Sequence, residues 1–335
     1  MSTATYIVGV DVGGTFTDVF FLDRMSGEVQ TAKVPSSHGD QSKGFIEGIA
    51  QQVSAFADIS TVVHGTTVGT NALLERKGAR TGIITTEGFR DVLEMRRRDR
   101  PTTWGLKGQF EPVVPRTDRV EVAERVLADG TVLAEVDAED VKQRASQLLQ
   151  AGCQSVCVFF INAYANTANE QIAVEAVRSV WPNGYVTAAT EILPEIREFE
   201  RCSTATLNAY LQPVVARYLD RLETALDDRK CAGEILIVQS NGGVMGVKMA
   251  KNLPVRTALS GPAAGVIAAQ AIAAAAGFDN VITCDMGGTS FDVSLVAGGA
   301  SSLAAQTQID FGLVVRTPMI EITTIGAGGG SIARI

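Results

Sequence analysis

The sequence predicts an α/β fold of two lobes that face a shared cleft. The frame D-x-G-G-T-x-x-D occurs twice, as Asp11-Val12-Gly13-Gly14-Thr15-Phe16-Thr17-Asp18 and as Asp285-Met286-Gly287-Gly288-Thr289-Ser290-Phe291-Asp292. In each copy an apolar, β-branched run precedes the frame and another follows, so each reads as strand, glycine turn, strand. The length of 335 residues exceeds one small core and suits two domains, and strand-like and helical runs alternate through the middle of the chain.

Taken in order, Glu28 to Val34 adds a third strand to the first hairpin and makes an antiparallel meander. Gly44, Phe45, Ile49 and Val53 space a helix that covers it. Thr61-Val62-Val63 is the next strand and delivers His64-Gly65-Thr66-Thr67 to a strand end, ahead of a helix beginning near Asn71. Arg96-Arg97-Arg98 opens an irregular excursion, read as a solvated face with an anion contact as the alternative. A hairpin over Arg119 to Val126 with its Asp129-Gly130 turn is followed by a helix from Asp137 to Ala151, a strand from Ser155 to Ile161 and a helix from Asn169 to Val180, which make a β/α layer. The Pro182-Asn183-Gly184 turn sets the domain boundary, giving lobes 1–182 and 183–335. A long helix from Pro194 to Arg229, with Pro213 as its one expected kink, bridges them. Glu234 to Gln239 is a strand ending in Ser240-Asn241-Gly242-Gly243. The alanine-rich run from Ala263 to Ala276 reads as a buried helix, and Ile320 to Ile325 as a last strand before Gly326-Ala327-Gly328-Gly329-Gly330-Ser331.

A strand that ends in Asp and turns back through Gly-Gly-Thr has a chemical use. The glycines let backbone N–H groups approach phosphate oxygens, the Thr adds a hydroxyl, and the Asp holds Mg²⁺ or orients water. Two such hairpins would clamp one polyphosphate. One copy alone reads as well as an ordinary β-turn; the repeat of the frame favours the clamp. Thr66, Thr67, Thr70 and Asn71 suit a small uncharged polar substrate such as a lactam or imide, or else an N-capping cluster. His64 reads as a structural hydrogen-bonder, with catalysis the alternative. With His38 it completes the two histidines of the chain, too few for a histidine-rich metal site.

The doubled hairpin resembles the phosphate 1 and phosphate 2 motifs of the actin/hexokinase/Hsp70-type ATPase fold. Val8-Gly9-Val10-Asp11-Val12-Gly13-Gly14-Thr15-Phe16-Thr17-Asp18 is similar to the wording of the hydantoinase A/5-oxoprolinase family, as are Val63 to Arg76, Ser240-Asn241-Gly242-Gly243, Ser260-Gly261-Pro262-Ala263-Ala264-Gly265 and Gly326 to Ser331. The resemblance implies two actin-like, ribonuclease H-like lobes around a nucleotide cleft, and an ATP- and Mg²⁺-dependent hydrolase of cyclic amides, of the 5-oxoprolinase or N-methylhydantoinase type. It places Asp11 and Asp285 at the metal and water, and Gly13, Gly14, Thr15, Gly287, Gly288 and Thr289 at the phosphates, with Thr17 among the cofactor-binding residues and, like Asp18 and Asp292, a support of these loops. Thr66, Thr67 and Asn71 are the candidates for the cyclic amide or imide. Alternatives that keep the fold are the β subunit of an acetone carboxylase-like enzyme and a non-catalytic nucleotide switch.

Family members are about twice as long, and their adenosine-contacting segment lies beyond Ile335. An incomplete second lobe is therefore expected, completed by a missing C-terminal half or by another chain, with a hydantoinase B-like subunit sharing the chemistry and oligomers favoured. The formal net charge of −8 speaks against nucleic-acid binding. No apolar run reaches bilayer length. Five cysteines, an odd number mostly in apolar runs, suit a reduced cytoplasmic protein.

Overall fold

The computed structural model describes residues 5–13, 16–36, 41–53, 55–100, 104–105, 110–288 and 290–332. Gly14, Thr15 and Thr289 of the expected phosphate loops, and His38, lie outside the described residues. The chain opens with β1 (Tyr6–Val12), β2 (Phe16–Asp23) and β3 (Val29–Pro35), then α1 (Gln41–Ala50), β4 (Ile59–Thr66) and α2 (Val68–Leu74). In β2 the buried side chains Thr17, Val19 and Phe21 alternate with exposed ones, the period of a strand with one face covered; α1 packs on that face.

Next come β5 (Thr81–Thr86), α3 (Val92–Met95), β6 (Arg119–Val122), β7 (Arg125–Val126), β8 (Val132–Ala134), α4 (Ala138–Gln150), β9 (Ser155–Phe159), α5 (Ala168–Val180), β10 (Val186–Ala188), α6 (Ala189–Ile192) and α7 (Glu198–Asp227). The order β10-β9-β5-β6 forms a parallel sheet, and β5 and β9 are buried along their whole length, as strands covered on both faces must be. Asp137 caps α4, accepting from the Glu139 N–H. The expected hairpin holds at its Asp129-Gly130 turn, where β7 and β8 pair antiparallel, and is corrected for Arg119–Val122, since β6 runs parallel to β5. The alternating pattern marked strands correctly but does not encode which neighbour they take.

The chain then forms β11 (Glu234–Val238), β12 (Val244–Gly246), α8 (Val247–Asn252), α9 (Ser260–Ala275), β13 (Val281–Met286), β14 (Phe291–Ala297), β15 (Ala300–Ser301), β16 (Leu303–Ala304), β17 (Thr307–Asp310), β18 (Leu313–Val315), β19 (Met319–Ile320) and β20 (Thr323–Ile325). The largest sheet has the order β12-β11-β4-β1-β2-β3. Its meander β1-β2-β3 is antiparallel, while β4 joins β1 and β11 joins β4 in parallel. This sheet crosses the expected boundary at 182/183, because β11 and β12 complete a sheet begun by β1 to β4. The second hairpin founds a separate sheet, β13-β14-β15, with β20 on the free part of β14.

Helix α7, 30 residues long with Pro213 inside it, is the spine of the largest core and packs against β9, α2, α8 and β18. Buried charge fixes its head. Arg201, fully buried, donates to the carbonyls of Glu195 and Phe160 and pairs with Glu198. Arg97 makes a two-pronged pair with buried Glu200, at 3.0 and 2.6 Å, and Arg96 stacks on Phe110 and Phe311. Arg97 of the arginine run thus clasps the head of α7. The alanine-rich α9 is not the buried helix its composition suggested: its buried residues are Ser260, Ala263 and Val266, and Ile272 is 71% exposed. Within this chain β4, β11 and the second hairpin pack against α9. No described helix is long and apolar enough to cross a membrane.

Candidate functional site

The two hairpins are built alike to the residue. In the first, Asp11 pairs with Asp18 and Val12 with Thr17; in the second, Asp285 pairs with Asp292 and Met286 with Phe291. The Gly13 N–H donates to the Phe16 carbonyl and the Gly287 N–H to the Ser290 carbonyl, each at 3.0 Å. The last aspartate of each frame is held by its register partner on the next strand. Asp18 takes Lys33 of β3 at 2.8 Å, and Asp292 accepts from the Thr324 hydroxyl of β20 at 2.5 Å. The frame's first and last aspartates therefore share a sheet face, and the last is neutralised or satisfied while the first is left open.

Asp11 and Asp285 face one cavity of about 500 Å³, whose walls include Asp18, Gly65, Gly261 and Gly265. Helix α9 begins between the two carboxylates. A Cβ on Gly261 would lie 3.5 Å from an Asp11 oxygen, and one on Gly265 would lie 3.9 Å from an Asp285 oxygen. Glycines one turn apart thus present bare backbone to both aspartates, at a helix end whose N–H groups favour anions. Removal from water, followed by the charges of Asp18 and Asp285, pushes the Asp11 carboxyl from 3.8 up to about 6, with Lys33 pulling the other way. Neither Asp11 nor Asp285 has a hydrogen-bond or ion-pair partner among the described residues.

That donor set fits a hard divalent cation. Two unpartnered carboxylates that repel across a cavity are stabilised by positive charge between them, and Mg²⁺ takes one or two carboxylates with phosphate oxygens and water. No group of three or more His, Cys, Asp or Glu side chains placed to hold a metal occurs among the described residues.

The structure redistributes several expected roles. Gly13, Gly287 and Gly288 sit at the hairpin tips, and the glycine string docks on the second, with the Gly329 and Gly330 N–H groups donating to the carbonyls of Gly287 and Gly288 at 3.0 Å. Thr17 is fully buried and bonds Ser36, whose hydroxyl donates to the Gly13 carbonyl; it supports the loop and does not face the cavity. Thr66 is also fully buried: its hydroxyl accepts from the Val68 N–H and its backbone bonds Ser260. Both side chains are turned to the covered side and support the loop and the strand end. Thr67 and Asn71 are half-buried, Thr67 donating to the Val12 carbonyl at 3.2 Å and the Asn71 amide donating to the Thr67 hydroxyl at 3.4 Å. Register places Thr66 beside Val12, so this strand end adjoins the first hairpin directly. His64 is structural: it is buried, bonds Tyr218 at 2.7 Å and the Val10 carbonyl at 3.1 Å, and burial lowers its pKa to about 4.

Sequence reasoning missed the paired approach of Gly261 and Gly265, although the spacing of one helical turn in Gly261-Pro262-Ala263-Ala264-Gly265 signals it. It also missed Lys33, which the count from Asp11 to Asp18 to Lys33 across a three-stranded meander would have found.

Six strands in the order just described, with a duplicated hairpin, glycine-lined helix start and facing aspartates, define a chain of the actin-like ATPase fold. The model of the hydantoinase/oxoprolinase N-terminal region matches residues 7–181 and that of hydantoinase/oxoprolinase matches 201–335. The chain belongs to the hydantoinase/oxoprolinase family. It is 34% identical over its whole length to the caprolactamase subunit alpha of Pseudomonas jessenii, of which it spans 49%; a crystal structure of that ATP-dependent caprolactamase matches at a TM-score of 0.87 over 98% of this chain and 49% of that one. The 5-oxoprolinase 1 of Arabidopsis thaliana is 31% identical over 96% of this chain and 28% of its own. Nucleotide-free acetone carboxylase is similar at 25% identity and a TM-score of 0.83, over 97% of this chain and 48% of that one. The chain thus spans about half the caprolactamase subunit or less of these relatives.

Proposed function

We propose that the chain forms the phosphoryl-transfer part of an ATP-dependent cyclic amide hydrolase. The observation that carries this is the pair of open aspartates, one from each glycine hairpin, in one cavity at a helix start. An amide carbonyl is a poor electrophile. Attack of its oxygen on the γ-phosphorus of ATP breaks the bond to the β-phosphate oxygen, releases ADP and leaves an imidate phosphate that water opens. Little covalent chemistry is asked of the protein; positioning and charge neutralisation dominate. The Gly288 N–H and the N–H groups of the α9 start hold phosphate oxygens, Gly13 and Gly287 close the turns that shape the two loops, and Thr67 and Asn71 orient the amide. Asp11 and Asp285 hold Mg²⁺, which neutralises phosphate charge when bound. The remaining half of the enzyme, or a hydantoinase B-like subunit, supplies the adenosine contacts and shares the ring opening.

Similarity to acetone carboxylase favours a second reading, phosphorylation of a ketone enolate or of bicarbonate, which would make ATP use depend on bicarbonate. The complete enzyme supplied with a lactam carrying oxygen-18 in its carbonyl is expected to release the label in inorganic phosphate. Label found solely in the ring-opened acid would refute carbonyl phosphorylation.

A further inference from the structure

A second cavity lies along the same sheet edge, at the end of β11. It measures about 160 Å³ and is lined by Gln239, Ser240, Asn241, Arg256, Thr317 and Pro318. Arg256 is its one charged lining residue. Arg256 is half-buried, and its guanidinium has no hydrogen bond or ion pair among the described residues. Thr317, which lines the same cavity, is 7% exposed and its Oγ1 is buried without a partner. A cation without a counter-ion and an orphaned hydroxyl in one small cavity ask for an anion with at least two acceptor oxygens.

The cavity is prebuilt. The Ser240 N–H donates to the Arg256 carbonyl at 2.8 Å, the Ser240 carbonyl accepts from the Ile320 N–H at 2.8 Å, and the Ser240 hydroxyl reaches the carbonyls of Arg256 and Ala258 at 2.7 and 2.5 Å. One residue thereby ties together the three segments that form the walls. Asn241 turns its carbonyl oxygen to the Gly243 N–H at 2.9 Å, which leaves its amide N–H₂ as a further donor.

We propose that this cavity binds the carboxylate of the substrate, so that Arg256 and Thr317 select a cyclic amide that carries an acid group. The inference rests on the lactam reading above. Strand β11 lies two places from β1, and at about 4.8 Å per strand the two ends are about 10 Å apart. A terminal phosphate near Asp11 and a small ring, whose acid and carbonyl groups are a few bonds of about 1.5 Å apart, span that gap. A chain of net charge −8 repels acids in general, so an acidic substrate needs a localised cation.

Equilibrium binding to the chain without ATP, by calorimetry, tests this with three probes: 5-oxoproline, 2-pyrrolidinone (the same ring lacking the acid) and acetate. The acid lactam is expected to bind at least tenfold more tightly than either of the others. Arg256→Met is expected to erase that preference, Thr317→Val to weaken it severalfold, and Arg256→Lys, which keeps the charge without the fork, to fall between. Equal binding of the two lactams, a preference that survives Arg256→Met and Thr317→Val in folded protein, or acetate binding as tightly as 5-oxoproline would overturn the proposal. Since no phosphoryl transfer enters this assay, its failure leaves the oxygen-18 result standing for neutral lactams.

Discussion

Replacing Asp11 by Asn is expected to separate stability from function. The carboxyl is raised from 3.8 to about 6 by lost hydration and by Asp18 and Asp285. A shift of about two units bounds the cost of ionising it at about 3 kcal/mol, and the exposure of Asp11 to the cavity screens this to about 1 kcal/mol. The sign follows from the raised value. The folded chain holds this proton more tightly than the unfolded one, so the penalty is absent below pH 3.8, grows as pH rises through about 6, and is complete at pH 8. Asp11→Asn should therefore melt about 2 °C higher than the parent at pH 8 and no higher near pH 4. Turnover of the complete enzyme should meanwhile fall at least ~10²-fold, the scale of losing one key electrostatic group. Thermal melts at both pH values and lactam-dependent ADP release would be compared. A variant that melts lower at pH 8 and keeps its turnover would refute the open-carboxylate reasoning.

Asn71→Ala should raise the KM for lactam more than that for ATP in steady-state kinetics, whereas Thr66→Val, which removes a buried hydroxyl from Val68, should cost about 1 kcal/mol of stability in a denaturant titration. His64, lowered by burial from 6.5 to about 4, contributes stability that is complete above pH 6.5 and is lost by about 1.4 kcal/mol per pH unit as pH falls toward 4; folded His64→Gln should lack that slope in melts across this range. In calorimetry the 335-residue chain should bind ATP, GTP and tripolyphosphate with similar affinity, because the contacts proposed here reach only phosphate oxygens. Light scattering should show it associating through exposed Ile272, Phe278, Ile282 and Leu295.

The hairpins were legible because their turn chemistry repeats and their flanks are β-branched, so strands, turns and the meander with β3 all follow from local signals. Helix α7 was legible for the same reason, its apolar period running through Pro213. What sequence could not resolve depends on contacts distant in the chain. The pairing of β11 with β4 joins residues more than 170 positions apart and carries one sheet across the Pro182-Asn183-Gly184 turn. Thr17 and Thr66 carry the right chemistry for ligands, but the pleat aims them at Ser36 and at the Val68 N–H. Arg256 stood in an unremarkable stretch, and only the return of Thr317 to the same wall gives its charge a setting.

The central claim is that both hairpins hold one polyphosphate. Titration of Mg²⁺-tripolyphosphate into the parent chain, Asp11→Asn, Asp285→Asn and the double variant measures this as a coupling. A shared site predicts that each single change weakens binding at least tenfold and that the double change adds little beyond either. Losses that simply add, or an Asp285→Asn chain that binds as the parent does, would contradict it.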